Sequence, residues 1–383
     1  MKTEDFQFRF LSSLVEISSE DWNRLAGKAS PFLRYEFIWA LENTGCTTEA
    51  TGWQPWHLAV WDKQQSLAAL VLLYRKSNSY GEYVFDWSWA DAYRTHSIPY
   101  YPKLLTAIPF TPSVGPRFLV REDLSKKQLI PLLADVIRHH AEETNLSSWH
   151  VLFPTESESE TLAENGMLTR EGTQFHWFNR GYSCFGDFLN ALSSRKRKNI
   201  RKERQSVSDQ GISFSIVGGA DITPIQWKHF FVFYQSTYMV RGMQGYLSEE
   251  FFVQIGKTMP ENLFLVQATL GEQVIAGALF FRDDRRVFGR YWGSLEEYQF
   301  LHFETCFYQG IDYCIRHGLE QFDAGAQGEH KIQRGFEPIR TVSNHWIRHA
   351  DFANAIEEFL EQEQSYVQRY RQEASKLLPF KKS

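Results

Sequence analysis

The chain has 383 residues, 43% hydrophobic and 16% aromatic, with a net charge of −5 at neutral pH. That length exceeds one comfortable core and predicts two domains, the apolar content excludes disorder, and the acidic balance argues against wholesale coating of nucleic acid. Four scattered cysteines with no CxxC pair speak against a metal ribbon, and the charged start MKTEDFQFRF and the lack of any eighteen-residue apolar run predict a soluble, cytoplasmic protein without signal peptide or membrane span.

In chain order, Ser30-Pro31 predicts the start of a helix running through Asn43, with proline at the first helical position. LAVWDKQQSLAALVLLYR from Leu58 reads as strand, polar turn, strand. The aromatic stretch YGEYVFDWSWADAYRTHSIPYYP follows from Tyr80 and is expected to contribute strand residues that cover a sheet, or else the wall of an acceptor groove. Ser125 precedes a helix to about His140 with Leu129, Leu132, Leu133, Val136 and Ile137 on one face. Residues 185–204 predict a helix leading into a strand at 212–217, residues 262–293 predict three strands, and residues 303–317 predict an amphipathic helix ended by Gly318. A last helix, 352 to about 378, is free to dock on its own domain or on a partner chain.

Two internal matches organise these elements. LVQATLGEQVIAGALFFR from Leu265 aligns without gaps on the Leu58 hairpin at an offset of 207, and GFEPIRTVSNHWI from Gly335 aligns on GMLTREGTQFHWF from Gly166 at an offset of 169. Each half therefore repeats one plan, and the first half carries extra chain around residues 80–117.

Three stretches carry chemistry. SSRKRKNIRKER, residues 193–204, has seven Lys or Arg in its last ten residues. A solvated helix face explains such a run, and so does contact of Arg197 and Arg201 with phosphate. RYWGSLEEYQFLHFETCFYQGI passes from a strand with Arg290 and Trp292 into a helix with His302, where Glu304, Tyr308 and Asp312 share a face. FDAGAQGEHKIQRGFEP places Asp323, Gln327, Glu329, His330, Lys331 and Arg334 behind a glycine turn. An amine attacking a carbonyl must lose a proton, and His302, Glu304, Asp323 and His330 are the candidate acid–base groups. Lys331 or backbone N–H groups of the turn would steady an oxyanion. No Cys–His or Ser–His pair stands at readable spacing, which favours direct attack.

Together these three stretches resemble the bacterial FemAB-like group of predicted N-acyltransferases, and Ser30-Pro31-Phe32 and Pro379-Phe380-Lys381 extend the likeness over nearly the whole chain. The resemblance implies an α+β fold of two tandem GNAT-like domains, expected at 1–180 and 181–350, with a C-terminal helix over 351–383. It implies transfer of an acyl or aminoacyl group to an amine, related to the cell wall, from acyl-CoA or an aminoacyl-tRNA and without a metal. In place of the glycine-rich pyrophosphate loop of acetyl-CoA enzymes, this chain has GSLEEYQFLHFE. Its Glu296, Glu297 and Glu304 would repel a pyrophosphate and suit a cationic amino group. Substrate contacts are expected from Arg197, Arg201, Arg290, Trp292, Tyr308, Gln327, Glu329, Lys331 and Arg334. The expected partners are a small-molecule or cell-wall-precursor acceptor, tRNA, and a second copy in a homodimer. The competing readings are a non-catalytic binding protein for cell-wall fragments or phosphorylated ligands, and a tRNA-binding partner of another enzyme.

Overall fold

Both hairpins of the sequence repeat are antiparallel hairpins in the fold. In the first, strands His57–Asp62 and Leu67–Val71 pair Leu58 with Val71; in the second, Leu263–Leu270 and Gln273–Arg282 pair Leu265 with Leu279. The offset is thus 207 on one strand and 279 − 71 = 208 on the other, because the two turns differ in length. The second match is in step throughout: strands Leu168–Phe178 and Glu337–Ile347 begin and end 169 residues apart. Each follows a glycine at positive φ, Gly166 and Gly335, a conformation that side chains resist.

A computed structural model of the chain describes residues 3–28, 30–240, 242–326 and 328–381. The fold is α+β, two units with mixed, mainly antiparallel sheets flanked by helices. Unit 1 comprises residues 1–173 and 340–369, and unit 2 residues 174–339 and 370–383. These limits differ from the expected 180/181 and 350/351, since Leu168–Phe178 begins in unit 1 and ends in unit 2, while Glu337–Ile347 does the reverse. The last helix, Ala350–Lys376, is likewise divided, so it is not a separate element. Ile356 and Leu360 are core residues of unit 1, whereas Phe359 and Tyr366 are exposed.

Unit 1 holds a four-stranded antiparallel sheet that contains the first hairpin. Its helix Lys126–Glu143 buries Leu129, Leu133 and Ile137 against that hairpin. A second sheet pairs Lys103–Thr106 in parallel with Ser148–Leu152. The aromatic stretch is not mainly strand: Trp87–Thr95 is a helix, and Trp89, Tyr93 and Tyr100 are buried with Ile347, Ile356 and Leu360. Helix wins here because Trp89 and Tyr93, four residues apart, fall on one face. Beneath them, the fully buried Lys103 ammonium donates to Glu82 at 2.9 Å and Asp86 at 2.5 Å, and Tyr100 also donates to Asp86.

In unit 2 the three strands expected at 262–293 are Leu263–Leu270, Gln273–Arg282 and Arg286–Ser294, consecutive and antiparallel. The strand Ile212–Gly218 flanks them on one side and the short strand Gln321–Asp323 on the other. Residues 185–204 fold as two helices, Phe185–Ala191 and the basic helix Ser194–Asp209. Helices Pro224–Met239 and Glu249–Thr258 were not read from the sequence; the first has apolar residues all round and no clear face. It crosses the sheet so closely that a Cβ added at Gly293 would sit 1.7 Å from the Phe233 carbonyl oxygen. Gly293→Ala should therefore destabilise unit 2 by about 1–3 kcal/mol or more, read as a lower midpoint in denaturant unfolding.

Candidate active site

The site of unit 2 forms where two strands part. Arg286–Ser294 pairs in parallel with Gln321–Asp323 over three residues only, the last pair being Phe288 with Asp323. Beyond it the longer strand runs on, while the other chain turns away through Ala324 and Gly325, where Gly325 has a φ of +79°. The gap is a cavity of about 370 Å³ lined by Gly289 to Trp292, by His302, Cys306 and Phe307 of the next helix, and by Ala324, Gly328, His330 and Lys331 of the glycine turn. Ligands collect at the carboxyl ends of parallel strands for this topological reason.

Arg290 is placed by an irregularity in the strand. Phe280 faces Gly289 and Leu279 faces Tyr291, so Arg290 is the extra residue of a bulge, a device that re-aims a side chain. Its guanidinium forms a fork on Asp323, with Nη2 2.6 Å from Oδ2 and Nη1 3.1 Å from Oδ1. Both side chains are almost wholly buried. Burial alone would raise the Asp323 carboxyl, but Arg290 holds it well below the usual carboxylate range. On the strand Leu168–Phe178, His176 faces Asp323, its Nε2 3.6 Å from Oδ1. Its pKa is pulled down to about 4, chiefly by burial, so it is neutral. In the sequence this histidine stands out only within the repeat, where His176-Trp177 matches His345-Trp346.

His302 and His330 line the cavity with ring centroids 6.1 Å apart. Burial, then the neighbouring His330 and Lys331, pull the His302 pKa to about 4, and burial lowers that of His330. Both are neutral imidazoles at pH 7, the state a general base requires. Neither ring has a hydrogen-bond partner among the described residues. Neither Asp323 nor Glu329 orients His330: Asp323 is occupied by Arg290, and Glu329 accepts from Tyr370 at 2.9 Å. Packing holds the His330 ring, with Phe303 at 5.7 Å and Phe307 at 5.5 Å.

Lys331 is buried and donates to the carbonyl oxygens of Ala324 and Gly325, each at 2.9 Å. Burial lowers its pKa to about 8. The Cys306 thiol is pushed well up by burial, so it faces the cavity as a neutral thiol rather than a nucleophile. Trp292 also lines the cavity, its ring 5.4 Å from His302.

The remaining predicted residues lie elsewhere. The helix expected at 303–317 is interrupted by a π turn over Glu304–Tyr308, where the Gln309 N–H reaches the Glu304 carbonyl. Such turns are rare and frequent at functional sites. This turn swings Glu304 and Tyr308 inward onto the basic helix. Glu304 accepts from Arg204 at 2.9 Å and from Gln309 at 2.8 Å, and Tyr308 donates to Glu203. Arg334 also pairs with Glu203, at 2.9 Å, and stacks over the Phe303 ring. Glu304, Tyr308 and Arg334 thus form a buried polar seam, and none lines the cavity. Glu296 and Glu297 are exposed and also stand off it. The acidic corner expected to hold a cationic amino group is therefore not at the cavity, because its deepest carboxylate neutralises Arg204. Gln327 lies outside the described residues.

On the basic helix, Arg197 donates to Asn190 at 3.4 Å, while Arg201 is exposed and unpaired among the described residues. Arg195, Lys198 and Lys202 are exposed and unpaired in the same way. Spacings of three and four residues put these cations on one helix face.

No helix among the described residues is long and apolar enough to cross a membrane. The fold is similar to that of FemX, with a TM-score of 0.55 at 13% identity over 89% of this chain and 98% of that one. A conserved protein of unknown function from Bacteroides thetaiotaomicron gives 0.51 at 7% identity over 88% and 99%. L-PGS from Bacillus licheniformis gives 0.50 at 10% identity over 84% and 92%. No curated protein matches the chain. The model of the FemAB-like family, described as peptidoglycan biosynthesis/recognition, matches residues 13–382, and the chain belongs to that family.

Proposed function

We propose that the chain is an N-acyltransferase that moves an acyl or aminoacyl group to an amine, with the cavity of unit 2 as its reacting centre. The observation that carries this reading is the pair of neutral, unpartnered imidazoles at the parted strands. His302 or His330 would take the proton from the attacking amine. Backbone N–H groups of the glycine turn would steady the oxyanion as the tetrahedral intermediate forms. The amine displaces the donor's leaving group directly, since the thiol at hand is held protonated. Family membership supports a cell-wall precursor as acceptor. We place the protein in the cytoplasm, and a homodimer is compatible with the exposed Phe359 and Tyr366 on the last helix.

The unpaired cations of the basic helix favour a donor that carries phosphates, and an aminoacyl-tRNA fits a stripe of this length better than a single nucleotide. Replacing Arg201 and Lys202 together with glutamine should weaken binding of bulk tRNA. It should also flatten the salt dependence by about 0.7–0.9 in log–log slope for each phosphate no longer neutralised. Filter binding over a salt series checks this, and an unchanged slope returns the stripe to a solvated face.

A further inference from the structure

The cavity of unit 2 is out of charge balance. Arg290 and Lys331 are its cations, Asp323 is the carboxylate paired with Arg290, and no Asp or Glu lines it among the described residues. One positive charge is thus left over at a lysine that is 3% exposed. Two of the Lys331 N–H groups reach carbonyl oxygens, and the third has no partner among the described residues. His302, half-buried, and His330, exposed, add ring nitrogens without a hydrogen-bond partner among the described residues on the same wall. Buried polar groups are nearly always satisfied, so the free third N–H of the buried Lys331 ammonium requires an explanation. A buried ammonium short of a counter-ion is also costly.

An oxygen ligand bearing one negative charge satisfies all of these conditions. We propose that the cavity binds the carboxylate of the amine acceptor, an amino acid, with Lys331 as its counter-ion and its amine beside His302 and His330. The assignment of the amine rests on the acyl-transfer reading; the carboxylate site does not. Volume agrees, since about 370 Å³ holds an amino acid together with the reacting end of an acyl donor. In the step itself the amine nitrogen bonds to the carbonyl carbon of a thioester or ester donor, and the carbon–sulfur or carbon–oxygen bond breaks. The amine proton passes to an imidazole and then to the departing thiolate or alkoxide. A carboxylate gripped within a residue's length of that imidazole orients the amine, which is how binding is turned into rate.

Titration calorimetry of the full chain with alanine, alaninamide and inorganic phosphate, without any acyl donor, tests the site. Alanine should bind at least roughly tenfold more tightly than alaninamide, the difference expected for a charge-assisted contact. Lys331→Gln should abolish that preference. If this variant does not fold by circular dichroism, Lys331→Arg, which keeps the charge, should retain the preference. Equal affinity for alanine and alaninamide, no saturable binding of either at tens of millimolar, or a preference that persists in folded Lys331→Gln overturns the proposal. Tighter binding of phosphate than of alanine also overturns it and reassigns the cavity to a phosphate. Because no donor is present, these failures leave acyl transfer standing. Intact alanine binding without any turnover would count against acyl transfer instead.

Discussion

Arg290→Met should destabilise unit 2 by roughly 3–5 kcal/mol, the cost of leaving one partner of a buried ion pair uncompensated. The stranded group is Asp323, whose fork on Arg290 is 2.6 Å at its shorter arm. Adding Asp323→Asn to Arg290→Met should recover part of that loss, so the two changes will not be additive in denaturant unfolding. The same pair sets a pH dependence. The Asp323 carboxyl is held below its unfolded value in the native state, so its stabilisation is present above about pH 4 and fades as the pH falls further. Wild-type protein should lose stability on acidification through that range, and the double variant should lose less. A double variant as acid-sensitive as the wild type would place the titrating group elsewhere.

His302→Ala and His330→Ala should each leave the chain folded, and the one that removes the general base should lower kcat about 10²–10⁴-fold with little change in KM. The pH profile separates the two imidazoles. The pKa of His302 is pulled to about 4, so a reaction that uses it stays level from neutral pH down to nearly that value before falling. A base with an ordinary imidazole pKa would begin to fail near pH 6.5. His330, the more exposed of the two, should give the profile that bends at the higher pH. Steady-state rates of the two variants and the wild type over pH 4–8 decide between them.

The repeat was legible in the sequence because strand pairs and their glycine turns obey local rules: the strands that begin at Leu168 and Glu337 match residue for residue. The glycine turn that borders the cavity was legible for the same reason, as a polar, glycine-rich stretch after a short strand. The roles of single residues were less so. Glu304 reads as a base on a regular helix, but a π turn rotates it onto Arg204, 100 residues earlier in the chain. No periodicity rule announces that turn. The Asp323–Arg290 fork depends on a bulge across two strands, and the facing His176 arrives from a strand that begins in the other unit. Both are consequences of pairing at long range. The aromatic stretch misled because rings that suit a strand suit a buried helix face equally well.

The central claim, that the cavity of unit 2 performs acyl transfer, is tested most directly by following amide formation by mass spectrometry. Wild-type protein and the His302→Ala/His330→Ala double variant would each be given an amino-acid mixture with charged tRNA or, in parallel, with acyl-CoA. The account predicts a new amide from the wild type with one of these donors, and its loss by about 10²-fold or more in a folded double variant. An amide formed at the wild-type rate by that variant would contradict it.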